Sequence, residues 1–131
     1  MSELIPYALY TIPEVSMVGE SEDALRSKET AYLAGRARYG ANARAQILGD
    51  TTGMIKLLFA PDDLRLLGAH IIGERASELV HVAQMCMQFG GTINAFIENV
   101  FNFPTIADAF KYAAYDGLQA RDRWLADRSR R

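Results

Sequence analysis

The residues of greatest chemical interest lie in FNFPTIADAF, which begins at Phe101. Thr105 and Asp108 resemble a capping box, because the hydroxyl can accept an early backbone N–H and the carboxylate stands at the positive end of the helix dipole. Pro104 keeps the helix from extending backward. A helix start is the preferred interpretation, but it leaves the aromatic pair Phe101 and Phe103 unexplained. The alternative is a site in which an aromatic ring replaces a chemically active side chain.

Two histidines and one cysteine are the other candidates for chemistry. His70 and His81 could indicate a metal or small-ligand site, but no cysteine or carboxylate stands at ligand spacing to either. A packed or surface histidine is the preferred interpretation for both. Cys86 lies on the apolar face of a predicted helix, which favours a core side chain over a nucleophile. The sequence therefore predicts no metal site.

No motif in the chain would bind a nucleotide phosphate. There is no Gly-x-Gly-x-x-Gly and no Walker-type loop. Arg36, Arg38 and Arg44 are interpreted as a solvated strand face and a loop rather than a phosphate site. We therefore expect this chain to hold no cofactor by itself.

Length and composition indicate one globular domain. The chain has 131 residues, of which 50% are hydrophobic and 23% charged. Its net charge of −2 gives no reason to expect nucleic-acid binding. No apolar run approaches the roughly 18 residues that span a bilayer, and the N-terminus lacks the pattern of a signal peptide. With a single cysteine, a cytoplasmic location and no membrane contact are the expectations.

The first half of the chain alternates between short strands and a helix. Pro13 cannot donate to a central strand ladder, so the stretch around it is predicted to turn. Ser21 can cap the helix that follows it. The predicted elements are a short strand and turn at 8–19, a helix at 21–29, a strand at 31–39 and an irregular stretch at 40–50.

The second half begins with a hairpin and continues as helices. A Pro/Asp turn separates two strands, and after Gly73 the apolar period changes from two to about 3.6. The predicted elements are strands at 51–60 and 66–73, a helix that Gly90-Gly91 ends, a short helix at 92–100 capped by Thr92, and a last helix from Thr105 to at least Leu118, with a charged tail that frays. This order predicts an α+β fold, an antiparallel sheet with helices packed on one face.

Three segments together resemble the C-terminal dimerisation domain of the FAD-dependent pyridine nucleotide-disulfide oxidoreductases. YTIPEVSMVGESEDAL is similar to its opening strand, turn and capped helix, and LLGAHIIGERASELVHVAQMCM to its strand-to-helix passage. FNFPTIADAF stands where the family carries His-Pro-Thr-x-x-Glu. The resemblance covers about residues 5–120. It implies one dimerisation domain, 1–131, with a charged tail at 121–131 and with the FAD- and NAD-binding domains absent.

One departure separates this chain from the disulfide reductases. In those enzymes the histidine before the proline, paired with the glutamate, serves as acid/base for the dithiol. Here Phe103 and Asp108 occupy these positions, and a phenyl ring cannot carry a proton. GRARYGANARAQILGDTTGMIKLLF and FNFPTIADAFKYAAYDGL instead resemble the family's soluble transhydrogenase branch, whose hydride transfer through flavin needs no such base. That branch usually has tyrosine at this place, so Phe103 also lacks its phenolic hydroxyl.

The resemblance implies where the functional contacts lie. Phe103 and Pro104 are expected to contact the flavin of the partner subunit, with their peptide bond cis and its carbonyl facing the ring. FAD and NAD(P) belong to the full-length enzyme, and the isolated chain is expected to dimerise without catalysing. The residues expected at the homodimer interface are Phe101, Asn102, Phe103, Pro104, Thr105, Asp108 and Phe110.

Two alternatives stay open at this point. The chain could be the dimerisation domain of a divergent flavoprotein disulfide reductase, or an interaction module without a catalytic parent. The interface prediction depends on surplus apolar surface, since Phe101, Phe103, Ile106, Phe110 and Tyr112 are many for one helix and its entrance to bury. The alternative is that these side chains only fill the domain's own core.

Overall fold

A computed structural model describes residues 4–130. The strands are β1 (Tyr7–Leu9), β2 (Val15–Gly19), β3 (Leu33–Arg38), β4 (Gly53–Phe59) and β5 (Leu66–Gly73). The α-helices are α1 (Glu22–Ser27), α2 (Ala43–Leu48), α3 (Ala76–Gln88), α4 (Asn94–Glu98) and α5 (Ala109–Ser129). All strand pairs are antiparallel, in the order β1-β2-β5-β4-β3. The predicted α+β class is confirmed.

Elements with strong local signals form as the sequence predicts. The Ser21 hydroxyl accepts the Ala24 N–H at 3.1 Å and caps α1. The β4–β5 hairpin pairs in antiparallel register, and α3 ends just before Gly90, whose φ is +66°. These elements carry their start and stop residues within a few positions of themselves, which is why sequence reasoning finds them.

Two predictions in the first half are wrong. The stretch 8–19 contains two strands rather than one, because the turn around the cis Ile12–Pro13 peptide is followed by β2, which pairs with β1 and β5. The stretch 40–50 is not irregular, since it holds a 3₁₀ turn at Tyr39–Ala41 and then α2. Both missed elements have five or six residues, too few for a period to show.

Two predictions in the second half are also wrong. Thr92 does not cap α4, whose N-cap is Ile93 without a side-chain hydrogen bond. Up to Ser129 the charged tail is helical and continues α5, so the predicted fraying is not seen there, while Arg131 lies outside the described residues. The Arg121 guanidinium donates to the carbonyl oxygens of Pro61 and Asp62 at 2.8 and 3.0 Å.

The main core lies between the sheet and most of the helices. Ile55, Leu57, Ala69 and Ile71 alternate along β4 and β5 and point to the same side, where all four are at most 1% exposed. Residues from α2, α3, α4 and α5 complete the same apolar cluster. Helices therefore cover this face of the sheet, as the fold class predicts.

A close backbone approach in this core joins α5 to the edge strand β3. A Cβ on Gly35 would meet backbone atoms of Ala113 and Gly117. The Asp116 carboxylate accepts the Arg36 N–H at 2.8 Å, which satisfies a donor on the free edge of β3. Glycine at position 35 lets the helix backbone contact the strand directly.

The opposite face of the sheet is covered only at one corner. Leu25 of α1 and Leu58 of β4 are buried there, outside the main cluster. Lys56 bonds to Glu22 at 2.8 Å, and the His70 ring nitrogen Nε2 bonds to the Glu20 carbonyl oxygen at 2.9 Å. Helix α1 and its entrance therefore lie across this corner and leave the rest of the face open.

Two cross-strand rows on this face form what we name the open platform, and α1 with its entrance covers only the part of the second row at His70 and Lys56. Directly paired residues of antiparallel strands project to the same side. The rows are Leu9, Val15, Ile72, Met54 and Arg38, and beside it Tyr7, Met17, His70, Lys56 and Arg36.

A membrane-spanning helix does not occur within residues 4–130, since none there is both long and apolar enough to cross a bilayer.

Candidate functional site

The candidate site is the loop between α4 and α5, and its two phenylalanines point in different directions. Phe101 packs against the main core and is half-buried. Phe103 projects outward, with 74% of its surface exposed. The Phe103–Pro104 peptide bond is cis, as the family resemblance implies. An aromatic ring therefore stands on the surface at the position where the family resemblance implies a histidine in the disulfide reductases.

Thr105 closes this loop and starts the helical segment. Its hydroxyl accepts the Asp108 N–H at 3.3 Å and donates to the Asn102 carbonyl oxygen at 2.7 Å. A 3₁₀ turn over Ile106–Asp108 follows and leads directly into α5. The capping role predicted for Thr105 is confirmed, and the second bond also fixes the loop on the other side of Pro104.

Asn42 anchors the same loop from a distant part of the chain. Its side-chain amide donates to the Thr105 carbonyl oxygen at 2.9 Å, while its Oδ1 accepts the Ala45 N–H at 3.0 Å and caps α2. The residue is 5% exposed, so both bonds are shielded from water. Sequence reasoning missed Asn42. Its position before the helix formers ARAQ was the available signal for the cap, but nothing local indicates the bond to residue 105.

Part of the predicted interface is not on the surface. Phe110 is 0% exposed and stacks on Phe96 with ring centroids 5.1 Å apart, and Ile106 is 4% exposed. Placing Phe110 at the interface is therefore wrong, because its ring fills the domain's own core. The remaining residues of the set reach the surface to differing degrees: Phe101, Pro104, Thr105 and Asp108 are half-buried, and Asn102 and Phe103 exposed.

A cavity of about 300 Å³ borders the loop. Its walls include Pro104 and Thr105 on one side and Arg44, Arg75 and Glu78 on the other. Arg44 is half-buried in α2, which corrects its predicted place in a solvated loop. The loop thus combines an exposed ring with a neighbouring cavity that two arginines and one glutamate line, a composition suited to binding a protein surface or a planar ring.

The other candidate residues are engaged elsewhere. Burial lowers the pKa of His70, whose ring is bonded to Glu20, and the Nδ1 of His81 lies 2.9 Å from the Gln84 Oε1. Cys86 packs against the core as predicted, and burial raises the pKa of its thiol. In the part of the chain from 4 to 130, no group of three or more His, Cys, Asp or Glu side chains could hold a metal ion.

The family model described as the pyridine nucleotide-disulphide oxidoreductase dimerisation domain matches residues 5–114. The chain belongs to this family. The match includes all five strands, α1 to α4, and the candidate loop. The resemblance inferred from the three motifs is confirmed.

Curated relatives narrow the assignment within the family. A soluble pyridine nucleotide transhydrogenase of Mycobacterium bovis is 47% identical over 116 residues, which are 88% of this chain and 25% of that protein. The protein of the same name from Pseudomonas syringae is 44% identical over 117 residues, 87% of this chain and 25% of that protein. This chain spans about a quarter of the length of these relatives.

Solved structures confirm the fold. The flavoprotein disulfide reductase RclA of Escherichia coli superposes with a TM-score of 0.79 at 23% identity, over 83% of this chain and 25% of that one. LpdA of Mycobacterium tuberculosis gives 0.79 at 21% identity, over 85% of this chain and 24% of that one. At this identity the agreement extends to the architecture alone.

Proposed function

We propose that this chain is the homodimerisation domain of an FAD-dependent enzyme that transfers hydride between NADPH and NAD, and that it is inactive alone. The observation that carries the proposal is Phe103, an exposed ring without a titratable group on a loop that three hydrogen bonds hold in place. An enzyme that reduces a disulfide needs a proton carrier beside the dithiol, whereas hydride transfer through a flavin does not. Identity of 44–47% to transhydrogenases supports the same choice.

The residues present fit a supporting role toward a flavin. Within 4–130 there is no dinucleotide phosphate motif, so FAD and NAD(P) would be held by domains outside this chain. What the loop offers is an apolar ring and a backbone carbonyl at Phe103–Pro104, groups that can border a flavin ring across a subunit contact. FAD supplies the electron-accepting ring, and this chain positions and shields it. The reducing cytoplasm is the compartment we propose, consistent with one free thiol at Cys86.

The dimer contact is proposed at the exposed part of the loop. Aromatic side chains that stand free on a rigid surface are typical anchors of interfaces. Phe103 and Asn102 are the most exposed members of the predicted set, with Pro104, Thr105 and Asp108 around them. Phe110 is no longer part of this proposal, because it is buried.

Sedimentation equilibrium with an absorbance scan tests this proposal. We expect a colourless dimer, and we expect Phe103→Asp to give monomers because a carboxylate would have to be buried without a partner. Phe89→Asp is the matched control, since Phe89 is 80% exposed at the end of α3 and should leave the dimer unchanged. A Phe103→Asp dimer as stable as the wild type would refute the placement, and a yellow sample would refute the absence of bound flavin.

A further inference from the structure

The last helix extends beyond the part of the chain that matches the family. The family match ends at residue 114, whereas α5 continues to Ser129. We name residues 115–129 the C-terminal extension. Between Arg121 and Ser129, the side chains of Arg121 and Trp124 are half-buried and the others are exposed. Half-buried side chains one helical turn apart indicate that one side of the extension rests on the rest of the domain.

Arg121 joins the extension to the turn between β4 and β5. Its guanidinium donates from Nε to the Pro61 carbonyl oxygen at 2.8 Å and from a terminal nitrogen to the Asp62 carbonyl oxygen at 3.0 Å. A guanidinium presents its N–H donors in a fixed fork, whereas the ammonium of lysine is a point charge. The contact with two consecutive carbonyl oxygens therefore depends on arginine at this position.

Arg128 adds a weaker contact about two helical turns, or roughly 10 Å, further along α5. Its guanidinium lies over the Trp124 ring, 4.6 Å from the centroid, and 3.9 Å from the Asp62 carboxylate. Both members of the ion pair are mostly exposed, so the pair contributes little stability by itself. It shows, however, that the extension stays beside the turn over this length.

The backbone of the same turn is strained. Leu64 has a φ of +65°, a conformation that costs free energy for a residue with a bulky side chain. Strained residues of this kind persist where the surrounding structure holds them in place. The bonds from Arg121 to Pro61 and Asp62, just before Leu64, provide such support.

The turn in turn holds the connection between α3 and α4. The Leu64 carbonyl oxygen accepts the Ile93 N–H, and the Leu66 N–H donates to the Gly91 carbonyl oxygen, both at 3.0 Å. Ile93 is the N-cap residue of α4, and α4 leads to the loop that carries Phe103. A change in the turn would therefore alter the hydrogen bonds at the start of α4.

Close packing at Gly117 directs the extension toward the turn. A Cβ on Gly117 would lie 2.8 Å from the Phe59 ring and 3.2 Å from the Ile93 side chain, and both of these side chains are 0% exposed. Because glycine lets α5 approach this closely, the position of the helix is fixed one turn before Arg121. The core thus brings the guanidinium to the carbonyl oxygens.

We propose that the C-terminal extension holds the strained β4–β5 turn in its conformation and, through the turn, fixes the start of α4. Without the Arg121 contact, the turn at Leu64 relaxes and the bonds to Gly91 and Ile93 weaken. This device goes beyond the proposed function, since it depends only on contacts within one chain. It operates whether or not the domain dimerises through Phe103.

Amide hydrogen exchange, measured by NMR at a concentration below dimerisation, tests the device. The reporters are the N–H groups of Leu64, Leu66 and Ile93, which bond within the turn or to the α3–α4 connection. In Arg121→Met we expect these amides to exchange about tenfold faster, the change expected from losing one charge-assisted hydrogen bond. A chain that ends at Ala120 should show an acceleration at least as large, with its folding checked by circular dichroism.

Arg123→Met is the matched control for Arg121→Met. Both variants replace an arginine of α5 by an unbranched apolar side chain. Arg123 is exposed and stands roughly 200° around the helix from Arg121, away from the turn. We expect the three reporter amides to exchange in Arg123→Met at the wild-type rate, and acceleration equal to that in Arg121→Met would contradict the proposal.

Three further outcomes would overturn it. Wild-type exchange of the reporters in Arg121→Met would show that the fork does not hold the turn. Equal acceleration of the reporters and of the β4 amides in Arg121→Met would show a general loss of stability instead of a local effect. Exchange of the 119–129 amides at the rate of an unfolded peptide in the wild type would show that the extension does not rest on the domain.

Arg121→Lys separates the charge of this side chain from its geometry. The ammonium keeps the positive charge but cannot reproduce the fork to Pro61 and Asp62. We therefore expect the reporter amides to exchange severalfold faster than in the wild type. Wild-type exchange in Arg121→Lys would show that charge alone is sufficient and would refute the role assigned to the fork.

Discussion

Ile71 and Ile72 are neighbours on β5, yet one is 1% exposed and the other 40%. The first points into the main core on the helical side of the sheet, and the second lies on the open platform. Both faces of the sheet carry apolar residues, but helices cover only one of them fully. The difference shows that apolar residues in this domain have two uses, one to hold the fold together and one to present a surface. Substitutions on the two faces should therefore differ in what they change.

The largest effect is expected from a ring in the covered core. Phe110→Ala removes a fully buried ring that stacks on Phe96, and we expect a loss of about 3–5 kcal/mol in the free energy of unfolding. Phe103→Ala is the control on the exposed loop and should change it by less than about 0.5 kcal/mol in the monomer. Urea unfolding at a concentration below dimerisation measures both. Similar losses for the two variants would mean that Phe103 is buried in solution.

The next effect concerns the backbone contact between β3 and α5. Gly35→Ala would place a methyl group against the backbone of Ala113 and Gly117, which cannot move aside as a side chain can. We expect a loss at the upper end of the roughly 1–3 kcal/mol typical of overpacking. Gly40→Ala, where a Cβ meets no atom within 4 Å, is the matched control. If Gly35→Ala unfolds at the same urea concentration as the wild type, the backbone of α5 does not contact β3 at this position.

A pH effect is expected at His70, where the entrance of α1 covers a corner of the sheet. His70 lies under the entrance of α1, and burial is the main cause of its lowered pKa, ahead of the opposing bond to the Glu20 carbonyl oxygen. The folded protein thus favours the neutral ring. The contribution of the neutral ring to the free energy of unfolding is present above the pKa of about 6.5 that the histidine has in the unfolded chain. It is lost as the pH falls from that value toward the lowered pKa of the folded protein.

Thermal unfolding between pH 7.5 and 5 measures this contribution. The midpoint should fall with pH in the wild type and fall less in His70→Gln, in which an amide can still donate to Glu20. Hydrogen bonds from Ser77 and Lys56 lower the pKa values of the Glu14 and Glu22 carboxyls. These two groups therefore change the stability of the fold only at a more acidic pH. An identical slope in both proteins would contradict a buried neutral ring.

The smallest effect on folding is expected from the open platform. Ile72→Lys on the isolated chain should change the free energy of unfolding by no more than about 0.5 kcal/mol, because the side chain is already partly in water. Ile71→Lys, one residue away, should prevent stable folding by burying an unpaired charge. Circular dichroism of the two variants side by side is sufficient. If Ile72→Lys also unfolds the chain, the platform is part of the core and not a surface.

The elements that could be predicted were those whose signals are local. Ser21 caps α1 three residues from its partner, the Pro/Asp turn joins β4 and β5, and a glycine ends α3. Short elements such as β2 and α2 were not predicted, since five or six residues are too few to show a hydrophobic period. The length of α5 could have been inferred from the alanine, leucine and arginine content of its tail, because these residues favour helix regardless of charge.

The candidate loop was located from the sequence, but its division into buried and exposed parts was not. Composition showed that FNFPTIADAF carries more apolar side chains than a helix entrance needs. Which of them would face outward depends on the neighbours that α4 and the sheet supply: Phe110 meets Phe96, whereas Phe103 meets nothing that buries it. That partition decides which residues can form an interface.

By itself the sequence determined the fold class, the family, and the absence of a titratable group at position 103, because these depend on residue identity and on spacing along the chain. Tertiary structure alone decided that Asn42 anchors a loop 63 residues away and that one face of the sheet stays open. Both follow from how strands and helices pack in three dimensions. Contacts between distant segments leave no local pattern, since the residues that make them are also compatible with other partners.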